Sequence, residues 1–430
     1  MTRGRVRAAT RLLSLLITAA VLVGCSPVPT HPVFHKTVDP ETLAEWGVFA
    51  IEEGRLVPRA GVIEYELNTP LFSDYSHKLR TVWMPEGTQS NYSSDSSFEF
   101  PIGTIVSKTF YYPLATTGDR TQVVKTSEAL GHEAGGRLVL NAVHLIETRI
   151  LVRRASGWAA STYVWDAAQR EARRERTGAV RALQLVSERG GAVQSMVDFD
   201  YVVPDVNQCA GCHATDVKRG SLWPIGLKAR HLNRDHDYGG RLGRRNQLEH
   251  WAELGKLAIP ADDPLTRARS FGVSLPRAAV WDDPAAPFEA RARAYLDINC
   301  GHCHNRQGPA DTSGLSLEAA ETSAVALGVC KSPIAAGRGT GNRRFGIVPG
   351  QPDESITVYR MASTDPDAMM PELGRALPHD EGVELIRRWI AAWSDARGCD
   401  QVTSNSARHS ASATRLSRSQ GWNPGRYQAK

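Results

Sequence analysis

Two short runs of this chain combine thiols and imidazoles at one spacing: Cys209-Ala210-Gly211-Cys212-His213 and Cys300-Gly301-His302-Cys303-His304. Cys-x-x-Cys-His is the attachment signature of c-type haem. Each thiol adds to a haem vinyl group, and the adjoining imidazole reaches the iron. The two-residue spacer sets the cysteines one helical turn apart, so two thioethers and one histidine converge on a single macrocycle. The pattern predicts two covalently bound haem c groups, each with its iron. Cys209, Cys212, Cys300 and Cys303 would bind them, and His213 and His304 would ligate the metal. Two other chemistries use Cys-x-x-Cys. Paired motifs bind zinc, but usually at short separation, whereas these lie far apart and each carries the same following histidine. A thioredoxin-like redox pair sits between a strand and a helix, a setting the sequence shows around neither motif.

A six-coordinate haem needs a second axial ligand. For the second haem the sequence points to Met370, in Met369-Met370-Pro371-Glu372, far enough past His304 to wrap round a porphyrin. A thioether ligand raises the reduction potential, which suits electron transfer. Met369 and Met361 are rivals, and all three are also ordinary core fillers. Gly308-Pro309 offers a backbone carbonyl to the other nitrogen of the imidazole. No methionine stands between His213 and Cys300. The first haem is left with His231, backed by His236 and His250, with Met196 or Met84 upstream, or with an open iron. Each of these histidines, taken singly, is more often a polar surface residue than a ligand.

The first residues bear on where such chemistry takes place. Arg3, Arg5, Arg7 and Arg11 precede a short apolar run from Leu12 to Val23, too short to span a bilayer comfortably. Leu22-Val23-Gly24-Cys25 looks like a bacterial lipobox, which predicts removal of residues 1–24 and lipidation of Cys25. An ordinary signal peptide with a free Cys25 is the alternative. Ser26 is not an aspartate, so no inner-membrane retention signal is evident. The expected address is the periplasmic side of the envelope, on the outer membrane, held by a lipid anchor only. Of seven cysteines, one is then a lipid site and four are haem thioethers. Cys330 and Cys399 remain, and an oxidising compartment favours a disulfide between them over two free thiols. The formal net charge of +5 is mild and partly lies in the leader and the tail, so it argues for no nucleic-acid partner.

The elements that must position these groups fall into blocks. Residues 25–45 read as a tether. Residues 46–200 read as β-rich: Phe98, Phe100 and Ile102 alternate with Glu99 and Pro101, and further strand-like runs cover 105–112, 138–152 and 158–165. Turn-forming clusters at 85–97, 113–120 and 131–136 separate them. The economical arrangement is an antiparallel sandwich or barrel. Residues 166–185, rich in Arg, Ala and Glu, predict a helix or a charged crossing. Residues 201–280 form a first haem region with one helical piece near 247–257. Residues 281–400 form a second: Phe288, Ala292, Tyr295 and Leu296 follow helical spacing into Cys300, and Val383, Ile386, Trp389, Ile390 and Trp393 mark another helix after Asp380 and Glu381. The expected fold is multidomain, a β-rich N-terminal domain followed by mostly α-helical cytochrome c haem domains. Residues 401–430 read as a disordered tail.

Several stretches together resemble a family of diheme c-type cytochrome lipoproteins of proteobacteria. They are Leu67 to Tyr75, Lys108-Thr109-Phe110, Glu147-Thr148-Arg149, Asn207 to His213, Ala310 to Leu315, Ile347 to Gly350 and Met370 to Arg375. The stretch from Cys300 to Met370 is also similar to class I cytochrome c. The resemblance adds little about the reaction; the two haems themselves predict transfer of single electrons to and from periplasmic redox proteins or a dehydrogenase. A diheme oxidoreductase of peroxidase type, with one open haem, is the alternative. A third reading makes the β-rich block a ligand-binding partner of a dehydrogenase, with Trp83, Trp158 and Trp165 stacking on sugar; those tryptophans are more often core fillers.

Overall fold

The computed structural model describes residues 28–214, 220–259, 275–334, 337–393 and 399. The leader, Cys25 and the tail 401–430 lie outside these residues. Six antiparallel strands make the main sheet, in the spatial order 172–175, 157–165, 143–154, 105–113, 77–83 and 63–64. The central runs are rich in β-branched and aromatic residues, which suit a pleated surface covered on both sides. One face packs Trp46, Leu79, Ile105, Tyr111, Ile150 and Tyr163. The other carries two apolar clusters. Val82, Val106, Leu151 and Trp158 meet Leu227, Trp251 and Ile298. Phe110, Tyr112 and Ile146 meet Phe199, Tyr201 and Val203. Both haem regions therefore dock on this second face.

The expected tether is not slack from its middle onward. Arg154 donates to the His35 carbonyl at 3.0 Å and to Asp39 at 2.5 Å, and Trp46 Nε1 donates to Tyr163 Oη at 2.7 Å. Trp158 and Trp165 are buried in the clusters just described. Phe98 and Phe100 are buried but lie in no strand, their neighbours Ser97 and Glu99 making only isolated bridges, and Ile102 is 53 % exposed. The charged run 166–185 is not helical. It supplies the edge strand 172–175 and half of a long hairpin, 179–189 paired with 192–203. Gly190 and Gly191 turn that hairpin at φ values of 60° and 78°, the mirror-image turn that matches strand twist. Arg and Glu there alternate towards water along strands, so their abundance mimicked a solvated helix face.

The expectation of mostly α-helical haem domains is overturned. Strands outweigh helices, 30 % against 19 %, and there are six α-helices among the described residues. The described residues of 201–280 hold three short ones, at 206–213, 229–232 and 247–253, with small strands between. In 281–400 the helices Phe288–Asn299 and Asp380–Ala391 stand where apolar periodicity placed them, with Ile356–Ala362 between. Most of 301–355 is turns and loops. Gly308, Gly314, Gly328, Gly339, Gly346 and Gly350, with Pro309, Pro349 and Pro352, make that stretch a poor helix former.

Candidate haem centres

The first motif lies on the helix Val206–His213. The strand 192–203 ends before Pro204, and Asp205 caps the helix. Its carboxylate accepts from the Asn207 and Gln208 amides at 2.7 and 2.8 Å, and Gln208 accepts in return from the Asp205 amide at 2.9 Å. Such a reciprocal cap is worth about 1 kcal/mol. It holds Cys209 buried, its thiol 3.4 Å from the Asp205 carbonyl. His213 Nδ1 donates to the Trp223 carbonyl at 2.8 Å, and the Trp223 amide donates to the His213 carbonyl at 2.8 Å. That clasp fixes the tautomer and leaves Nε2 with its lone pair. Burial, helped by the Lys108 charge, pushes His213 down to about 4, so the ring is neutral near pH 7.

The second motif follows the helix Phe288–Asn299 rather than lying within it. Cys300 closes the helix, and the His304 amide donates to the Cys300 carbonyl at 2.8 Å. Gly301 is needed for close approach: a Cβ there would stand 2.7 Å from the Asp297 carbonyl oxygen. His304 Nδ1 donates to Ser313 Oγ at 3.1 Å, while that hydroxyl donates to the Ala310 carbonyl at 2.6 Å. The anchor of the imidazole is thus a side-chain hydroxyl, not the expected Gly308-Pro309 carbonyl. Burial pushes His304 down to about 4 as well.

Both imidazoles therefore present one spare, neutral nitrogen beside two thiols. That donor set fits c-type haem. Beside Cys300 a narrow cleft, with free space of about 20 Å³, is lined by Met361, Met370, Tyr295, Arg375 and His379. Two of the three methionines singled out by sequence thus reach the same cleft. Met369 does not line it.

The two motifs touch. Cys303 Sγ lies 3.5 Å from the Gly211 carbonyl, and Cys212 is hydrogen-bonded to Cys303 and His302. One proton serves the thiol pair, so Cys212 is held far below an ordinary thiol and Cys303 is driven up. Burial raises Cys209 and Cys300, the latter to about 12. Among the described residues no group of three or more His, Cys, Asp or Glu side chains is placed to hold a bare metal ion.

His231, the first distal candidate, is 2 % exposed and committed elsewhere. Its Nε2 lies 3.3 Å from Asp297, which also takes Arg230 through both oxygens at 2.7 and 2.9 Å. His236 pairs with Glu64 at 3.1 Å, and Tyr238 separates it from His250. Met84 is buried in the core and Met196 is exposed on the hairpin. Cys330 and Cys399 are joined by a disulfide with Cα atoms 5.0 Å apart. No helix among the described residues is long and apolar enough to cross a membrane.

Sequence reasoning passed over the segment that locks the second centre to the sheet. Phe72 stacks on His379 at 4.3 Å, and its amide donates to Asn299 Oδ1 at 2.8 Å. Asp74 accepts from the Ala376 and Leu377 amides at 2.8 and 2.7 Å; burial lifts it to about 6 in spite of those bonds. Asp74 and Tyr75 both adopt positive φ, 46° and 62°, a strained geometry that the surrounding contacts enforce. The signal was available: a buried acid is rare unless it is partnered. Comparison with protein-family models, with curated proteins and with solved structures finds no match for this chain.

Proposed function

We propose that this chain is a diheme c-type cytochrome that passes single electrons in the bacterial cell envelope. One observation carries the reading: each motif histidine is clamped through Nδ1 with Nε2 spare, and the two motifs lie in direct contact. When bound, haem supplies a one-electron iron couple. The chain's own residues do the rest. Cys209, Cys212, Cys300 and Cys303 hold the two macrocycles, and His213 and His304 offer neutral nitrogens. Met370, with Met361 as its neighbour, offers sulfur to the second iron and so tunes it upward. Both histidines are partly buried, which would limit the access of water to a bound haem iron. Contact between the motifs keeps the path from one centre to the other short. The partners are periplasmic redox proteins or a dehydrogenase, with the protein held to the membrane by lipid on Cys25.

A second reading, an oxidoreductase with an open first iron, is favoured by the commitment of His231 to Asp297. Intact mass and absorption spectra of the mature protein, with and without carbon monoxide, separate the two. The carrier predicts two added macrocycles, both low-spin, and no carbon monoxide complex. A carbon monoxide complex lost on His213→Ala would favour the oxidoreductase. Material with no added macrocycle would overturn both.

A further inference from the structure

The second face of the main sheet has a row of cations between its two apolar clusters. Arg80, Lys108, Arg149 and Thr162 stand directly opposite one another on four neighbouring strands. Lys78 lies one row along, opposite Phe110. The Phe110 ring gathers Lys78 Nζ at 5.6 Å, Lys108 Nζ at 5.1 Å and the Arg149 guanidinium at 4.3 Å. Like charges opposite each other across a ladder are destabilising. Here Arg80 is 7 % exposed, and Lys78, Lys108 and Arg149 are partly buried.

Only one end of the row is neutralised at close range. Glu147 takes Arg149 through both oxygens, at 2.8 and 2.5 Å, and accepts from Tyr201 at 2.7 Å. Lys78 donates to the Ser76 carbonyl at 2.8 Å. Glu66 lies within electrostatic reach of Arg80 but is paired with Arg234 at 2.9 Å. Among the described residues Lys108 pairs with no carboxylate. Burial lowers Lys78 and Lys108, and an anion placed upon the row would stabilise their charged forms.

The first motif lies at that same end, beside Thr162 and Arg149, so Lys108 and Arg80 extend away from it without a close carboxylate. Cys209 is hydrogen-bonded to Thr162, and Lys108 is in electrostatic contact with Cys212 and His213. At a strand spacing of about 4.8 Å, Lys108 is about 10 Å and Arg80 about 14 Å from Thr162 along the row. A porphyrin attached at Cys209 and Cys212 would have its carboxylate edge at a separation of this order from its thioether edge. We propose that Lys108 and Arg80, with Lys78 beside them, receive the two carboxylates of the haem attached at Cys209 and Cys212. The inference rests on the diheme reading above. On it, the β-rich domain completes the first centre by neutralising its acid groups.

The test uses the full-length holoprotein and its Lys108→Met, Lys108→Arg and Arg80→Met variants. Intact mass, redox titration across the neutral pH range and resonance Raman spectra of the propionate modes are measured on each. Loss of a cation beside the haem stabilises the ferric form. Each Met variant should keep both macrocycles, lower one of the two potentials, give that potential a new pH dependence and shift the propionate bands. Lys108→Arg should restore the parent values. Two macrocycles with unchanged potentials and unchanged bands would overturn the proposal while leaving the diheme reading intact. Conversion of the first haem to high spin in Lys108→Met would overturn it too, by making the lysine an axial ligand. Parent protein with fewer than two macrocycles would instead sink the diheme reading itself. If Lys108→Met does not fold, Arg80→Met carries the same readouts.

Discussion

Replacing Asp297 by asparagine should cost the protein about 3–5 kcal/mol, the usual penalty for removing one partner from a buried ion pair. Asp297 lies one turn before Cys300, near the end of the helix Phe288–Asn299, where a negative charge meets the unfavourable end of the helix dipole. It is held there by the bidentate Arg230, by His231 and by the Ala319 amide at 3.0 Å. Its side chain is 1 % exposed and those of Arg230 and His231 are 14 % and 2 % exposed, so water repays little of the loss. Burial alone would raise the Asp297 carboxyl, but hydrogen bonds from His231 and Arg230 hold it far below the ordinary range. A depressed acid stabilises the fold above its unfolded pKa, and that stability is lost as pH falls towards the folded value. Urea unfolding of the holoprotein, followed by far-ultraviolet circular dichroism at neutral pH, reads the change as a fall in midpoint at constant slope. The pair Asp297→Asn with Arg230→Met should recover much of the loss, because no charge is then stranded. A single-variant loss under about 1 kcal/mol would refute the reasoning, since that is the size of a solvent-screened surface pair.

Met370→Ala should lower the potential of one haem and make that haem bind carbon monoxide; an unchanged redox titration would remove Met370 from the iron. Cys399→Ser opens a loop between residues 69 apart, for which the chain-entropy account gives a loss of about 4 kcal/mol, read as a lower urea midpoint that reductant no longer changes. His236 is lowered by burial but raised more strongly by hydrogen bonds and charge from Glu64 and Glu66, ending at about 9. Its contribution, about 3 kcal/mol for that shift, is fully present below pH about 6.5 and is lost as pH rises through about 9. Melting temperature should fall across that window in the parent and stay flatter in His236→Gln.

The motifs and their flanking elements were more legible than the architecture. The pentapeptides are local signals, so their positions and the two flanking helices of the second region could be read from spacing alone. The strands 105–113 and 157–165 were legible because their β-branched and aromatic residues are contiguous. The hairpin 179–203 was not, because its outward residues carry charge in an order that also suits a helix. The contact between Cys212 and Cys303 was invisible, since nothing in two separated motifs records their distance in space. His231 misled because a buried histidine beside an acid and a histidine on iron look alike in one dimension. The cation row was hidden for the same reason: Arg80, Lys108 and Arg149 belong to three strands and meet only through register.

The strap from Leu67 to Ser76 has a practical consequence for anyone who would cut this protein apart. It lends Phe72 to the second cleft, an acid to the 370s loop and Tyr75 to the start of the last helix. A fragment beginning near residue 281 would carry its own cysteines and methionines yet lack one wall of its pocket. It would also bare the surface on which Ile298 packs against the sheet. The two motif-bearing regions are therefore poor candidates for transplantation as stand-alone modules, and gene fusions or deletions that separate them from the strap should leave neither a stable product.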